Sequence, residues 1–220
     1  MHITVKNLIN LETNIQSKIN DLNYKDYKPK IIAVSKTFKI DHINPLIEHG
    51  HNHFGENKVQ EALEKWTDVK LRNEKIKLHF IGKLQSNKVK FAVKLFDYIH
   101  SLDNEKLAKK ISEEQKKINK SLKLFIQINI GSEEQKSGIS INEVDNFIKF
   151  CKELNLNVVG TMCLPPDDGK QREYFSIMEK INNKYSFNEL SMGMSNDYLD
   201  AVEFRSSFLR VGSKIFGQRS

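Results

Sequence analysis

Long hydrophobic runs are absent from this 220-residue sequence. The longest apolar stretches, such as residues 31–34, fall far short of the roughly 20 apolar residues that cross a bilayer. We therefore expect no transmembrane helix. The first 14 residues have no apolar signal-peptide core, and they contain Glu12 and no arginine, which argues against a mitochondrial presequence. The expected location is the cytoplasm.

Cysteine and proline are both scarce. Cys151 and Cys163 cannot form a disulfide framework and match no zinc-binding spacing, so we expect two buried apolar thiols. With only four prolines and no low-complexity segment, no linker divides the chain. We predict a single domain over residues 1–220.

Arginine is scarce too, although the chain is basic. The formal net charge is +7, and only five of the 35 basic residues are arginines. Nucleic-acid-reading and phosphate-clamping surfaces rely on arginine, and here the lysines are interspersed with acids, as at Glu105 and Lys106. Because no nucleic-acid-binding motif accompanies the charge, we predict a solvated surface and no nucleic-acid partner.

The chain does contain a repeated alternation of short apolar runs with helical patterns. Several runs are continuous rather than alternating, which is typical of parallel strands buried on both faces. Helical spacing of apolar residues predicts helices over 39–49, 103–119 and 142–154 and an amphipathic helix near the start of the chain. The apolar runs are residues 31–35, 53–55, 78–82, 98–101, 122–130, 158–162, 189–192 and 209–212.

Eight strands that alternate with helices predict an α/β fold, a closed (β/α)8 barrel of the TIM type. The extra N-terminal helix, within residues 1–28, is expected to pack on this barrel. The runs at 53, 98 and 189 are short, and if one of them is not a strand, an open doubly wound sheet is the alternative. In both architectures functional side chains lie at the carboxyl ends of the strands.

Lys36 directly follows the first apolar run. A lysine at the end of a buried strand lifts its amine into the barrel mouth, where partial desolvation lowers the pKa of the ammonium and frees a nucleophile. Such an amine is suited to Schiff-base chemistry. The alternative is an ordinary surface lysine, since lysine is the commonest charged residue of this chain.

Two small-residue turns near the C-terminus, residues 191–195 and 210–213, each follow a strand and precede a helix. Glycine amides and serine hydroxyls suit a phosphate, and the loops after the last two strands of a barrel often bind one. Because Asp197 and Asp200 themselves stabilise the start of the first helix, we favour Gly212 and Ser213 as the main phosphate contact. Ordinary turn residues are the alternative.

Arg210, Asn57 and a group of histidines each leave two interpretations open. A buried Arg210 needs a partner, which is either a core carboxylate or the ring nitrogen of a cofactor. Asn57 either caps the next helix or reaches the barrel mouth. His49, His51 and His53 alternate along one segment, but no third ligand has a recognisable spacing, so we predict no metal site.

Taken together, these segments resemble the pyridoxal phosphate homeostasis proteins, a family of pyridoxal 5′-phosphate binders with a barrel like the alanine racemase N-terminal domain. Residues 79–88 and 191–195 are the most specific. Ser213 stands where the family often has threonine, and Lys83 fills a variable position. The matching segments are residues 33–37, 54–57, 79–82, 84–88, 136–138, 191–195, 210–213 and 215–217.

The resemblance implies roles for six residues. Lys36 is implied to hold the cofactor aldehyde as an internal aldimine. The phosphate contacts are implied to come from Ser195, Gly212 and Ser213. The remaining two, at the ring of the cofactor, are Arg210 at the pyridine nitrogen and Asn57 beside it.

An arginine at the ring nitrogen bears on the expected activity. It cannot accept the nitrogen's proton, and its charge disfavours protonation of its neighbour, which weakens carbanion stabilisation by the cofactor. The barrel also uses the whole chain, leaving no second domain like the one through which alanine racemases receive a partner subunit's tyrosine. We therefore expect buffering of pyridoxal 5′-phosphate and its delivery to apo-enzymes by a monomer, with no catalytic residue and little or no turnover.

Three alternatives of other classes stay open. The first is a pyridoxal-phosphate-dependent amino-acid racemase or lyase that uses Lys36. The second is a basic RNA-associated protein without a cofactor. The third is a Schiff-base aldolase built on the same barrel.

Overall fold

The computed structural model describes residues 1–218, which form a closed barrel of eight parallel strands. Each strand pairs with its successor, and the last pairs with the first. The predicted TIM-type barrel is confirmed, including the three short runs, and the open doubly wound sheet is excluded. The strands are Lys30–Val34 (β1), His53–Glu56 (β2), Lys77–Phe80 (β3), Tyr98–Leu102 (β4), Lys123–Ile128 (β5), Val158–Cys163 (β6), Glu189–Ser191 (β7) and Phe208–Val211 (β8).

Nine α-helices in residues 1–218 surround the barrel or cover its ends. The three helices predicted over 39–49, 103–119 and 142–154 are present, each one or two residues shorter at its ends, and the last begins with a 3₁₀ turn at Ile141–Glu143. The helices are Ile3–Asp21 (α1), Ile40–Glu48 (α2), Val59–Arg72 (α3), Val89–Leu95 (α4), Glu105–Lys117 (α5), Val144–Glu153 (α6), Gln171–Lys184 (α7), Tyr198–Glu203 (α8) and Ser213–Phe216 (α9).

The strands are continuous apolar runs because both of their faces are buried. In β1, Ile31 and Ala33 pack outwards in the main core between the barrel and its helices. Ile32 and Val34 point inwards and join a second cluster inside the barrel with side chains such as Phe125. Neither face of the strand meets water, so neither carries the polar alternation of a half-exposed strand.

The N-terminal helix α1 lies on the outside of the barrel against α2, α8 and α9. Its buried stripe, which includes Leu8, Leu11 and Ile15, recurs at the helical spacing visible in the sequence. Beyond α1, the hydroxyl of Tyr27 donates to the carbonyl oxygen of Ser206 at 2.7 Å. This contact ties the start of the chain to the segment just before β8.

The two cysteines are buried thiols without a disulfide, as predicted. Burial raises the pKa of both Cys151 and Cys163 to about 12. Within residues 1–218, no helix combines the length and the apolar character that crossing a membrane requires.

Gly160 in β6 tests how closely the strands approach one another. A Cβ at this position would overlap the carbonyl oxygen of Glu189 in β7. We expect Gly160→Ala to force β6 and β7 apart and to lower the free energy of unfolding by about 3 kcal/mol, as measured by urea denaturation. In the control Gly169→Ala, a Cβ meets open space at a φ of +79°, so we expect a loss of only about 1 kcal/mol. Equal losses would contradict the close strand contact.

Candidate functional site

A cavity of about 650 Å³ opens at the carboxyl ends of the strands. Its volume lies in the range of about 300–1,000 Å³ that small-molecule sites occupy. The wall comes from the segments that follow β1, β2, β3, β6, β7 and β8. All six residues singled out in the sequence line it, namely Lys36, Asn57, Ser195, Arg210, Gly212 and Ser213.

Lys36 occupies a tight turn at the end of β1. The backbone N–H of Phe38 donates to the carbonyl oxygen of Ser35 at 3.1 Å and closes this turn. Lys36 is half-buried and lines the cavity, at the strand-end position expected from the sequence. Its covalent role stays a prediction.

The two C-terminal turns lie side by side in the cavity wall. The backbone N–H of Gly212 donates to Ser195 Oγ at 3.3 Å, which joins the turn after β7 to the turn after β8. Ser213 follows at once and also lines the cavity. Hydroxyls and backbone N–H groups from both turns therefore border one space, as a phosphate site requires.

The two acids that follow β7 lie at the start of α8 and make further contacts there. Asp197 makes no side-chain cap on α8; its carboxylate accepts the backbone N–H of Met194 instead. Burial raises the pKa of the Asp197 carboxyl. Asp200 pairs with Arg172 at 3.4 Å. Asp200 lies in the first turn of α8 and Asp197 directly precedes this helix, so both acids are at the helix end where the sequence placed them.

Asn57 does not cap the helix that follows it. Helix α3 begins at Val59, its N-cap residue is Lys58, and no side chain forms a capping hydrogen bond there. Asn57 lines the cavity, and its Oδ1 is buried with no hydrogen-bond partner within residues 1–218. The helix-cap interpretation is wrong, and the barrel-mouth interpretation is confirmed. A Cβ at Gly82 would overlap the backbone of Asn57, so glycine is needed there for close approach.

Arg210 is almost fully buried, and its partners are neutral. Its Nη1 donates to Ser191 Oγ at 2.6 Å, and its Nη2 donates to the carbonyl oxygen of Cys163 at 2.7 Å. Across the described residues, 1–218, its guanidinium forms no ion pair with a carboxylate. The interpretation that Arg210 pairs with a core carboxylate is therefore wrong. Burial lowers the pKa of the guanidinium.

A row of three histidines, which we call the histidine chain, continues from Ser191 across the barrel interior. It consists of His100 in β4, His79 in β3 and His53 in β2. Ser191 Oγ lies 2.9 Å from His100 Nδ1, and His100 Nε2 lies 2.9 Å from His79 Nδ1. His79 Nε2 lies 2.8 Å from His53 Nδ1. The chain joins the buried guanidinium to the opposite side of the barrel interior.

Arg210 fixes only the first hydrogen bond of this row. Because a guanidinium only donates, Ser191 Oγ accepts from Arg210. The bonds among Ser191 and the three histidines run in either direction, since the hydroxyl has a second lone pair as well as a proton and each imidazole carries its proton on either nitrogen. In both directions no imidazole needs a second proton, so all three are neutral.

The protonation equilibria agree with a neutral chain. Burial lowers the pKa of His79 and of His100 well below the ordinary value, and the neighbouring charge of Arg210 lowers the pKa of His100 further. The pKa of His53 is lowered to about 4, mainly by burial; His51, Lys30 and Lys77 act in the same direction and Asp97 in the opposite one.

Of the three histidines that alternate in the sequence, His51 and His53 form side-chain hydrogen bonds. His51 Nε2 donates to the carbonyl oxygen of His53 at 2.9 Å. No group of three side chains suited to a metal occurs within residues 1–218. Residues 79–88 stood out in the sequence, but no side-chain role was predicted for His79 or His100, although one signal was present: a histidine occurs in each of three successive strands.

Comparison with known families identifies relatives over the whole chain. The family model of the alanine racemase N-terminal domain matches residues 7–220. The pyridoxal phosphate homeostasis protein of Pasteurella multocida is 35% identical over 97% of this chain and 97% of its own length. That of Haemophilus influenzae is 34% identical over 97% of this chain and 95% of its own length.

Solved structures agree with the fold. PipY of Synechococcus elongatus, in a structure with PLP bound, has a TM-score of 0.80 and 29% identity and covers 92% of this chain and 100% of its own. A protein from Bifidobacterium adolescentis has a TM-score of 0.90 at 25% identity, over 96% of this chain and 94% of its own. An alanine racemase of Clostridium difficile shares the fold at 15% identity and a TM-score of 0.69, over 94% of this chain and 57% of its own.

The histidine chain predicts acid sensitivity. The folded state holds these imidazoles neutral, so the unfolded chain binds more protons below its histidine pKa of about 6.5. We expect their stabilising contribution to be complete above that pH and to be lost as the pH falls from about 6.5 towards 4. Urea denaturation across this range measures the loss.

His79→Gln provides the comparison, because glutamine accepts and donates hydrogen bonds but does not titrate. We expect a smaller fall in the free energy of unfolding for this variant between pH 7 and pH 5. His42→Gln, at an exposed position, is the control and keeps the parent's pH dependence. An unchanged pH dependence in His79→Gln would refute the neutral chain.

Proposed function

We infer that this chain, which belongs to the pyridoxal phosphate homeostasis proteins of the alanine racemase N-terminal-domain family, binds pyridoxal 5′-phosphate and takes part in its homeostasis. One observation carries this inference: an amine, a guanidinium and two hydroxyl-bearing turns converge on a single cavity. The relatives support it, since two are pyridoxal phosphate homeostasis proteins and PipY is described with PLP bound.

The phosphate end of the cofactor fits the joined C-terminal turns. We propose that Ser195, Gly212 and Ser213 hold the phosphate, because their hydroxyls and N–H groups border one part of the cavity.

The ring end fits Arg210 and Asn57. Arg210 also lines the cavity, so we propose that it faces the pyridine nitrogen, which is an acceptor for a donor-only guanidinium. The unpartnered Oδ1 of Asn57 is a buried acceptor, and buried polar atoms without partners are rare in folded proteins. A ligand that donates to Oδ1 removes this cost.

Pyridoxal 5′-phosphate supplies an aldehyde that condenses reversibly with an amine. We propose that Lys36 provides the amine: its nitrogen bonds to the aldehyde carbon, and the carbonyl oxygen leaves as water. Because the condensation reverses by adding water back, we also propose that the protein releases the cofactor unchanged to pyridoxal-phosphate-requiring apo-enzymes.

The side chains around the proposed ring position favour a protein that carries the cofactor rather than one that catalyses a reaction with it. Arg210 cannot accept a proton from the pyridine nitrogen, and the histidine chain behind it is neutral and meets Arg210 only through Ser191. No tyrosine or histidine of residues 1–218 lines the cavity as a second base. We therefore propose little or no turnover; an amino-acid racemase or lyase is the second candidate, because Lys36 would serve it equally.

Lys36→Ala tests the site directly. The parent protein, incubated with pyridoxal 5′-phosphate, is expected to turn yellow and, after borohydride reduction, to carry a phosphopyridoxyl group on the Lys36 peptide. The variant loses both signals, because no amine remains at that position. Lys39→Ala, an exposed lysine three residues away, is the control and behaves like the parent. A trapped ligand retained in Lys36→Ala, or mapped to another lysine, would refute the assignment.

Incubation with single-enantiomer amino acids separates a carrier from an enzyme. We expect the holoprotein to change the chirality or amount of the amino acid no faster than the same concentration of free pyridoxal 5′-phosphate. Chiral chromatography over several hours measures both. Many turnovers per protein molecule would replace the carrier function with that of a racemase or lyase.

A further inference from the structure

Three charged side chains surround the backbone of the turn that carries Lys36. We call Glu56, Glu61 and Lys65 the turn clamp; Glu56 ends β2, and the other two lie on α3. Lys65 Nζ lies 2.9 Å from an oxygen of each carboxylate. It also donates to the carbonyl oxygen of Ser35 at 2.9 Å. The ammonium of Lys65 thus links both carboxylates to Ser35, the residue before Lys36.

The two carboxylates complete the contact with the turn. Glu61 Oε1 accepts the backbone N–H of Thr37 at 2.6 Å, and Glu56 Oε1 accepts the hydroxyl of Ser35 at 2.7 Å. The turn clamp therefore holds the backbone on both sides of the intervening lysine.

The turn needs such support because its backbone is strained. Thr37 has a φ of +70°, in the left-handed region that β-branched residues rarely adopt. It is the third residue of the turn closed by Phe38 and Ser35, a position that usually takes glycine when φ is positive. Strained residues of this kind persist where their surroundings hold them, and they concentrate at functional sites.

Stability alone does not explain the burial of Glu56 and Lys65. The side chain of Glu56 is fully buried, and that of Lys65 is 8% exposed. Removing two opposite charges from water costs about as much as their attraction returns, so a buried ion pair contributes little net stability compared with apolar residues. What the pair does provide is a fixed geometry, through hydrogen bonds that apolar side chains could not make.

The turn clamp acts from outside the cavity. None of its three residues belongs to the cavity wall in residues 1–218. Glu56 Oε1 also accepts the indole N–H of Trp66 on α3 at 2.9 Å, which places its carboxylate on the helix side of β2. Any influence on a ligand therefore passes through the backbone of residues 35–38.

We propose that Glu61 and Lys65, with Glu56, are positioning residues that hold the turn 35–38 so that the amine of Lys36 meets the aldehyde of the cofactor. This inference rests on the proposed function. Orientation affects a bond-forming step strongly, since small displacements of a reacting group lower its effective concentration. The contacts of the ring and phosphate come from other strands and do not depend on this turn.

Two ligands separate positioning from general damage. Pyridoxal 5′-phosphate carries the aldehyde, whereas pyridoxamine 5′-phosphate has the same ring and phosphate but cannot bond to Lys36. In Glu61→Leu, we expect the Kd of pyridoxal 5′-phosphate to rise about tenfold and the yellow absorbance of its complex to develop correspondingly slowly. We expect the Kd of pyridoxamine 5′-phosphate to change less than about twofold, because the variant displaces only the amine that forms the covalent bond.

A second variant guards against misfolding. Lys65→Met alone would leave the buried carboxylate of Glu56 without its ion-pair partner. It is therefore combined with Glu56→Gln, so that both charges are removed together. The double variant is expected to show the same split between the two ligands. The control Lys70→Met removes another ion-paired lysine of α3, the partner of Asp97, and is expected to leave both affinities unchanged.

Each outcome has a distinct meaning. If the parent forms no reducible bond at Lys36, the proposed function fails, whatever the variants do. If the parent forms the bond and both variants bind the two ligands as the parent does, the positioning inference fails and the proposed function stands. Equal loss of both ligands in the variants also overturns the inference, because it shows a merely structural role.

Discussion

Pairing between β8 and β1 closes the barrel, in a register that sets Ile32 beside Arg210 and Ala33 beside Val211. Both strands therefore end at the same level, and the turn that carries Lys36 lies beside the turn that begins at Gly212. The groups that we assign to the aldehyde and to the phosphate come from opposite ends of the chain. Without this pairing they would share no cavity, so the site exists only in the closed barrel.

Two polar networks support the site from different sides of the sheet. Inside the barrel, Ser191 Oγ and the carbonyl oxygen of Cys163 accept from Arg210, and the histidine chain continues from Ser191. Outside the barrel, the turn clamp links β1, β2 and α3 around the turn of Lys36. Each network keeps one cavity-lining side chain in place through groups that do not line the cavity. Rigid strands and α3, rather than long loops, carry both networks.

Much of the architecture could be predicted from the sequence, because strands buried on both faces appear as continuous apolar runs. Even the three-residue β7 was found, since a turn and a helical pattern follow it. The positions of the candidate site residues followed from the rule that strand ends meet. Side-chain partners did not follow: Arg210 bonds a hydroxyl and a carbonyl rather than a carboxylate, and Asn57 does not cap α3.

Local pattern alone determined the helices, the strands and the places where each strand ends, because these depend on residues close together in the chain. The resemblance added the identity of the ligand. Only the tertiary structure decided that His53, His79 and His100 face one another and that Lys65 reaches the backbone beside Lys36. Such contacts depend on which side chains point into the barrel and how neighbouring strands are aligned. Closure of the whole sheet sets that alignment, and no single segment encodes it.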